Sequence, residues 1–231
     1  MSTSTLAHIA VGSLALACYW TALVVRKGSK LHRRVGKVCL VLLVLTGFSV
    51  APVLFTRPGP FDPAYVVQML YLTVCLGTVS MLAFDAIRFK TQPERFRGRR
   101  FRISGPVLLG LGLVVLTAGL AERDPVAAVL SWVGLVYGGA MIAFARHRGP
   151  FHPRWWMSWH LHAVCGLFNA VNGTFAYVVV RWLELVEEGP MAQVAFQLLT
   201  IAGAVALRGW FGRKFRAPLR WGVSGRVEPS P

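Results

Sequence analysis

The sequence predicts an all-α integral membrane bundle of seven transmembrane helices. Three observations predict it. Hydrophobic residues fill 55% of the 231 positions, and the mean hydropathy is +0.55. Charged residues make up only 15%, against about 25% in an ordinary soluble domain. The apolar residues also fall in long blocks, and runs of about 18 or more mark helices that cross a bilayer.

The seven blocks are 5–25, 35–55, 64–84, 103–121, 126–145, 155–182 and 193–211. The first has no basic stretch ahead of it. Ala15-Leu16-Ala17-Cys18 has Ala where a lipoprotein signal has Leu, and cleavage there would destroy the helix. It therefore reads as an uncleaved span. The fourth is the shortest and just reaches across a hydrocarbon core of about 30 Å. Prolines 58, 60, 63, 93, 125, 153 and 190 punctuate the connections. The domain division is a transmembrane domain, 1–212, and a short basic tail, 213–231, expected to fray at 228–231.

The net charge of +16 is unevenly placed. Of the 25 Lys and Arg, 22 lie in 26–37, 85–102, 146–154 and the stretch from Arg208 onward. Only Arg57, Arg123 and Arg181 lie between the alternate blocks. Such asymmetry is the positive-inside rule. It puts the N-terminus outside and the C-terminus in the cytoplasm, in the inner membrane of a bacterial cell. The expected partners are the lipid bilayer and, at the basic loops, anionic headgroups, each charge being worth about 1 kcal/mol near the surface. Basic residues so distributed need no nucleic acid. Cys18, Cys39, Cys75 and Cys165 all lie within blocks and form no CxxC pair, so they read as small apolar residues.

Helix geometry, at about 100° per residue, sorts the polar residues onto stripes. In the sixth block Ser158, His162, Cys165, Asn169 and Gly173 share a face, with Asn172 at its edge. His160 points the other way, beside Trp155, Trp156 and Trp159. Those tryptophans read as an interfacial aromatic belt, and His160 as a residue facing headgroups or water. In the first block His8, Gly12, Ala15, Tyr19, Ala22 and Arg26 form a stripe. Gln68, Tyr71, Cys75, Thr78, Leu82 and Asp85 do so in the third, with Asp85 as a counter-ion for Arg88 and Lys90. Gln193, Gln197, Thr200 and Ala204 do so in the seventh. Gly134-x-x-x-Gly138 in the fifth suits a close helix contact.

A polar side chain that faces lipid loses its water partners and gains none, so the stripes turn inward. Two outcomes fit: interhelical hydrogen bonds alone, or a polar cavity for a small ligand or protons. The cavity reading has His8, Gln68, Asn172 and Gln197 in its outer part and Tyr19, Thr78, His162 and Asn169 in its inner part. No nucleophile–base pair, phosphate loop or metal-ligand spacing occurs, so no catalytic residue is assigned. No cofactor is predicted. The alternative is a haem- or quinone-linked electron carrier, and a haem b needs two histidines at one depth. Only His162 with His32 comes near that, and the purified protein is expected to be colourless. A structural subunit with no cavity is a third reading.

Two stretches carry a family resemblance. His8-Ile9-Ala10-Val11-Gly12 is followed by Arg26-Lys27-Gly28 and Leu31-His32-Arg33-Arg34-Val35-Gly36-Lys37. His152 precedes Trp156-Met157. These resemble the bacterial predicted membrane proteins grouped as domain of unknown function 2306. The resemblance implies a multi-helix integral membrane protein and no particular activity, so it assigns no functional residue.

The charge asymmetry is testable. On a cysteine-free background, Gly98→Cys in the loop 85–102 should resist an impermeant thiol reagent applied to intact cells. Ready labelling from outside would reverse the topology.

Overall fold

The structure, a computed structural model, describes residues 2–56, 61–187 and 189–223. Arg57, Pro58, Pro60 and the 228–231 stretch lie outside them. Among the described residues ten helices follow in order: α1 Thr3–Val24, α2 Lys30–Phe48, α3 Val50–Thr56, α4 Pro63–Arg88, α5 Pro93–Phe96, α6 Arg99–Ala121, α7 Pro125–Leu130, α8 Trp132–Arg146, α9 Trp155–Trp182 and α10 Pro190–Lys214. Joined as α2–α3 and α7–α8, they make seven helices long and apolar enough to cross a membrane. The protein is a polytopic all-α membrane bundle.

The helix starts are written locally. Ser2, Ser29, Asp62 and Asp124 each accept a hydrogen bond from a backbone N–H in the first turn that follows. These side chains satisfy donors that a helix start leaves open. Pro63, Pro93, Pro125 and Pro190 stand at the first helical position, where a missing N–H costs nothing.

Two of the seven blocks are not single helices. The second breaks at Ser49 and the fifth at Ser131, both in αR conformation. The fifth break has a visible cause. Tyr71 of α4 is fully buried. Its hydroxyl faces the Leu130 and Ser131 carbonyls at 3.1 and 2.9 Å and accepts from the Gly134 N–H at 2.9 Å. One phenol thus supplies the partners that the interrupted ladder lacks.

At the centre α4 packs on α9. Beside them, α1 pairs with α2, α2 leans on α4, α10 runs along α9 and touches α7, and α6 pairs with α8. The α6–α8 contact is close, as the glycine spacing suggests. A Cβ on Gly134 would sit 2.5 Å from the Leu108 oxygen, and one on Gly138 2.6 Å from the Leu109 nitrogen.

The end of the bundle that carries the basic segments differs from expectation. Trp155 and Trp159 are no interfacial belt. They are buried with Phe96, Phe101 and Phe144, and Trp159 is the largest fully buried side chain among the described residues. The short α5 accounts for this, since Phe96 wedges between Phe101 and Trp155 at ring separations of 4.9 and 5.0 Å. Lys30, Arg33, Arg34 and Lys37 lie within α2 itself rather than in a loop before it. Arg97 is buried and donates to the Phe144 and His147 carbonyls, closing the end of α8, with Glu94 as its ion-pair partner.

Backbone atoms cannot yield, so the α6–α8 contact makes a sharp comparison. Gly134→Ala should lower thermal stability in detergent by about 1–3 kcal/mol, the range for overpacking a tight site. Gly139→Ala, with nothing within 4 Å of its Cβ, should leave it unchanged. Equal midpoints for the two variants would show that α6 and α8 do not pack at Gly134.

Candidate functional site

The polar stripes resolve into separate networks. In the first, Asn169 of α9 is 2% exposed. Its amide nitrogen donates to Gln197 Oε1 and Thr200 Oγ1 of α10, each at 2.8 Å, and its oxygen accepts from Trp132 Nε1 at 3.2 Å. Gln197 passes the chain to Thr174 Oγ1 at 3.3 Å. Asn169 and Gln197, expected in different halves of a cavity, are thus direct partners.

Other expected residues make isolated bonds. His8 Nδ1 meets Ser49 Oγ at 2.7 Å, tying α1 to the break between α2 and α3. Tyr19 is buried and donates to the Val164 carbonyl at 2.8 Å. Asn172 accepts from Trp20 Nε1 at 3.0 Å and donates back to the Phe168 carbonyl. Thr78 is buried on α4, and Gln68 lies half-buried near that helix's other end. These residues do not converge on one point.

A second network forms where sequence reasoning put only His162. Arg208 of α10 is 6% exposed. Its Nε lies 3.2 Å from His162 Nδ1, which also faces the Ser158 carbonyl of its own helix at 2.8 Å, and its Nη2 donates to Ser158 Oγ at 3.3 Å and to the Pro218 carbonyl. Ser158 Oγ donates to the same Pro218 oxygen at 2.7 Å. The Trp221 indole stacks on the His162 ring at 3.8 Å and 18°. Tyr137 of α8 donates to the His162 carbonyl at 2.6 Å. Arg208 makes no ion pair among the described residues, and its Nη1 is buried without a hydrogen-bond partner.

Arg208 is grouped by charge with the basic stretch that follows it, and it lies inside the last helix, as the seventh block has it. A signal for it existed: it continues the Gln197, Thr200, Ala204 stripe at the next helical step. Trp221 and Pro218 carried no such signal, because the stretch after Lys214 has no periodicity. The chain there folds back under the bundle. Arg154 Nη1 holds the Phe215 carbonyl at 2.6 Å, the His152 N–H donates to the Gly222 carbonyl at 3.0 Å, and Phe151 bridges to Val223.

A third cation stands beside this region. Lys27 donates to the Ala22 and Leu23 carbonyls at the end of α1 and lies over the Phe211 ring of α10 at 5.2 Å. Burial, reinforced by Lys214, holds its ammonium below the usual lysine range.

His160 overturns an expectation. It faces neither headgroups nor water alone: its Nδ1 contacts the Ala83 carbonyl of α4 at 2.9 Å, and the side chain is half-buried. The α4–α9 packing puts α4 on the face that a lone helix would turn outward. His32 makes a similar bond to the Ala22 carbonyl at 3.0 Å.

Among known protein families, curated proteins and solved structures, nothing matches this chain. The site is therefore read from its own chemistry.

Asn169→Leu should lower the thermal midpoint in detergent most, since Trp132, Gln197 and Thr200 lose a partner at about 1–3 kcal/mol per abandoned group. His162→Leu should also destabilise. His160→Phe, silent if the residue faced lipid headgroups, should cost about 1 kcal/mol for one lost bond. A His160→Phe midpoint equal to wild type would remove the Ala83 contact from the packing of α4 on α9.

Proposed function

We propose that the protein binds a small anionic ligand inside the membrane bundle, at Arg208 and at the end that the positive-inside rule assigns to the cytoplasm. One observation carries the reading: a guanidinium 6% exposed, with no carboxylate partner among the described residues and one nitrogen unpaired. An uncompensated buried charge costs several kcal/mol. Ionisable residues within membrane helices mark ligand or ion sites by default. Ser158 and His162 supply further polar groups beside the guanidinium.

Binding is favoured over passage. The bonds around His8, around Asn169 and Gln197, and around His162 form separate networks. A proton or solute path needs a continuous chain of polar groups, and these break it into islands. The small-ligand expectation thus narrows to the inner set around His162.

Haem b is the second reading, on a different observation. His32 and His160 each direct Nδ1 at a backbone carbonyl, as His162 does at Ser158, so the choice of pair rests on depth. A carbonyl only accepts, so Nδ1 carries the proton and Nε2 keeps its lone pair, the arrangement typical of metal-ligating histidines. His32 is third in α2 and His160 sixth in α9. Both helices start at the basic end, so the two depths differ by about 4.5 Å at 1.5 Å per residue. His160 therefore suits His32 better than His162 does. A Soret band lost in His160→Ala and kept in His162→Ala would establish this reading, and a colourless preparation would end it.

The anion reading is tested by thermal unfolding of the purified protein with benzoate, acetate and phosphate against chloride. At least one anion should raise the midpoint, by about 2.7 kcal/mol of stabilisation at a hundredfold excess over Kd. Arg208→Gln should abolish the shift. If no anion shifts the wild type, and Arg208→Gln is less stable, the arginine has a structural role only.

A further inference from the structure

The contacts of the Ala217–Trp221 loop have the form of a bound molecule. Two donors from different helices, Ser158 Oγ and Arg208 Nη2, converge on one oxygen, the Pro218 carbonyl. Three residues on, a flat aromatic ring lies face to face with His162 at 3.8 Å. The donors and the ring are what a planar aromatic ligand with an oxygen at its edge would need. The loop meets the need only in part. A carbonyl oxygen brings a partial charge where Arg208 presents a full one, and Nη1 is left unpaired. An anionic oxygen would be the better match, because hydrogen bonds between ionised partners are roughly twice as strong as neutral ones.

The loop is also held under backbone strain. Arg216 and Trp221 adopt left-handed φ values of 50° and 41°, which non-glycine residues avoid. Gly222 follows at 81°, where a Cβ would come within 2.5 Å of Trp155. Leu219 is largely exposed, so the middle of the loop is not buried in the bundle. Release of the loop would relieve the unfavourable φ values while uncovering Arg208, Ser158 and His162.

Resting on the anion reading above, we propose that Ala217–Trp221 occupies the site as an internal ligand. Its exchangeable counterpart is an aromatic carboxylate. The carboxylate takes the place of the Pro218 carbonyl against Ser158 and Arg208, and the ring takes the place of Trp221 against His162. Binding expels the loop, so ligand occupancy is read out as the exposure of residues 217–223 at the surface of the bundle.

The probe is 2-naphthoate, compared with its saturated decalin analogue and with neutral 2-naphthamide, on the full-length protein in detergent. Trypsin cleavage after Arg220, followed by mass spectrometry, reports loop release. Saturating 2-naphthoate should speed that cleavage, while the two analogues should not. Trp221→Ala, with the internal competitor weakened, should bind 2-naphthoate about three- to tenfold more tightly, the worth of one aromatic stack. The wild-type cleavage assay stands by itself if Trp221→Ala does not fold. Arg208-dependent binding of 2-naphthoate without faster cleavage leaves the anion site in place and overturns the internal-ligand proposal. Equal binding of naphthoate and its saturated analogue overturns the aromatic class alone. If no anion binds to wild type or to Trp221→Ala, the anion reading of Arg208 itself fails.

Discussion

A polar side chain carried into a bilayer leaves its water partners behind and must find others within the protein. The packing of α9 depends on that constraint. This helix carries polar groups on opposite faces, and neighbours meet them on both. Asn169 bonds to Gln197 and Thr200 of α10, and Ser158 and His162 to Arg208 of the same helix. On the other face His160 reaches the Ala83 carbonyl of α4, while Tyr19 of α1 reaches the Val164 carbonyl. Hydrogen bonds inside membranes average only about 0.6 kcal/mol. Their larger effect is on register, because each has to align one turn of α9 with one turn of its neighbour.

The same logic separates two kinds of cation at the basic end. Arg97 is buried but charge-paired: two carbonyls at the end of α8, an ion pair with Glu94 and the face of Phe151 surround it, although its Nε, like Arg208 Nη1, has no hydrogen-bond partner. Lys27 closes the end of α1 in a comparable way. Such placements suit positive charge, since helix C-termini carry the negative end of the macrodipole. Arg208 has no such pairing. Its strongest acceptor is a loop carbonyl, and its neighbour His162 contributes no negative charge. That contrast, more than burial itself, separates a candidate binding residue from a structural one.

The helical stripes were a sound guide to which residues turn inward on α10 and on one face of α9. They were a poor guide to what those residues meet. Period alone reports a direction from one helix axis and says nothing of the neighbour's identity. His160 was read as outward because its face looked apolar, yet α4 covers that face. Trp155 and Trp159 were read as a belt because they start a span, yet α5 and the folded-back tail bury them. Arg208 lies within the seventh block but is grouped by charge with the basic stretch that follows, although it keeps the spacing of the stripe before it.

What the sequence by itself determined is the all-α class, seven spans and their approximate limits. These follow from local quantities: apolar length against bilayer thickness, and, at four of the helix starts, the capping side chains Ser2, Ser29, Asp62 and Asp124. The glycine spacing of Gly134 and Gly138 likewise announced a close contact without naming α6. The tertiary structure alone decided the breaks at Ser49 and Ser131, the pairing of Asn169 with Gln197, and the cluster of Arg208, His162, Ser158 and Trp221. Each of these joins groups far apart in the chain, and one, Trp221, lies where no periodicity exists. Their meeting depends on how helices lean on one another, a property that no single segment carries.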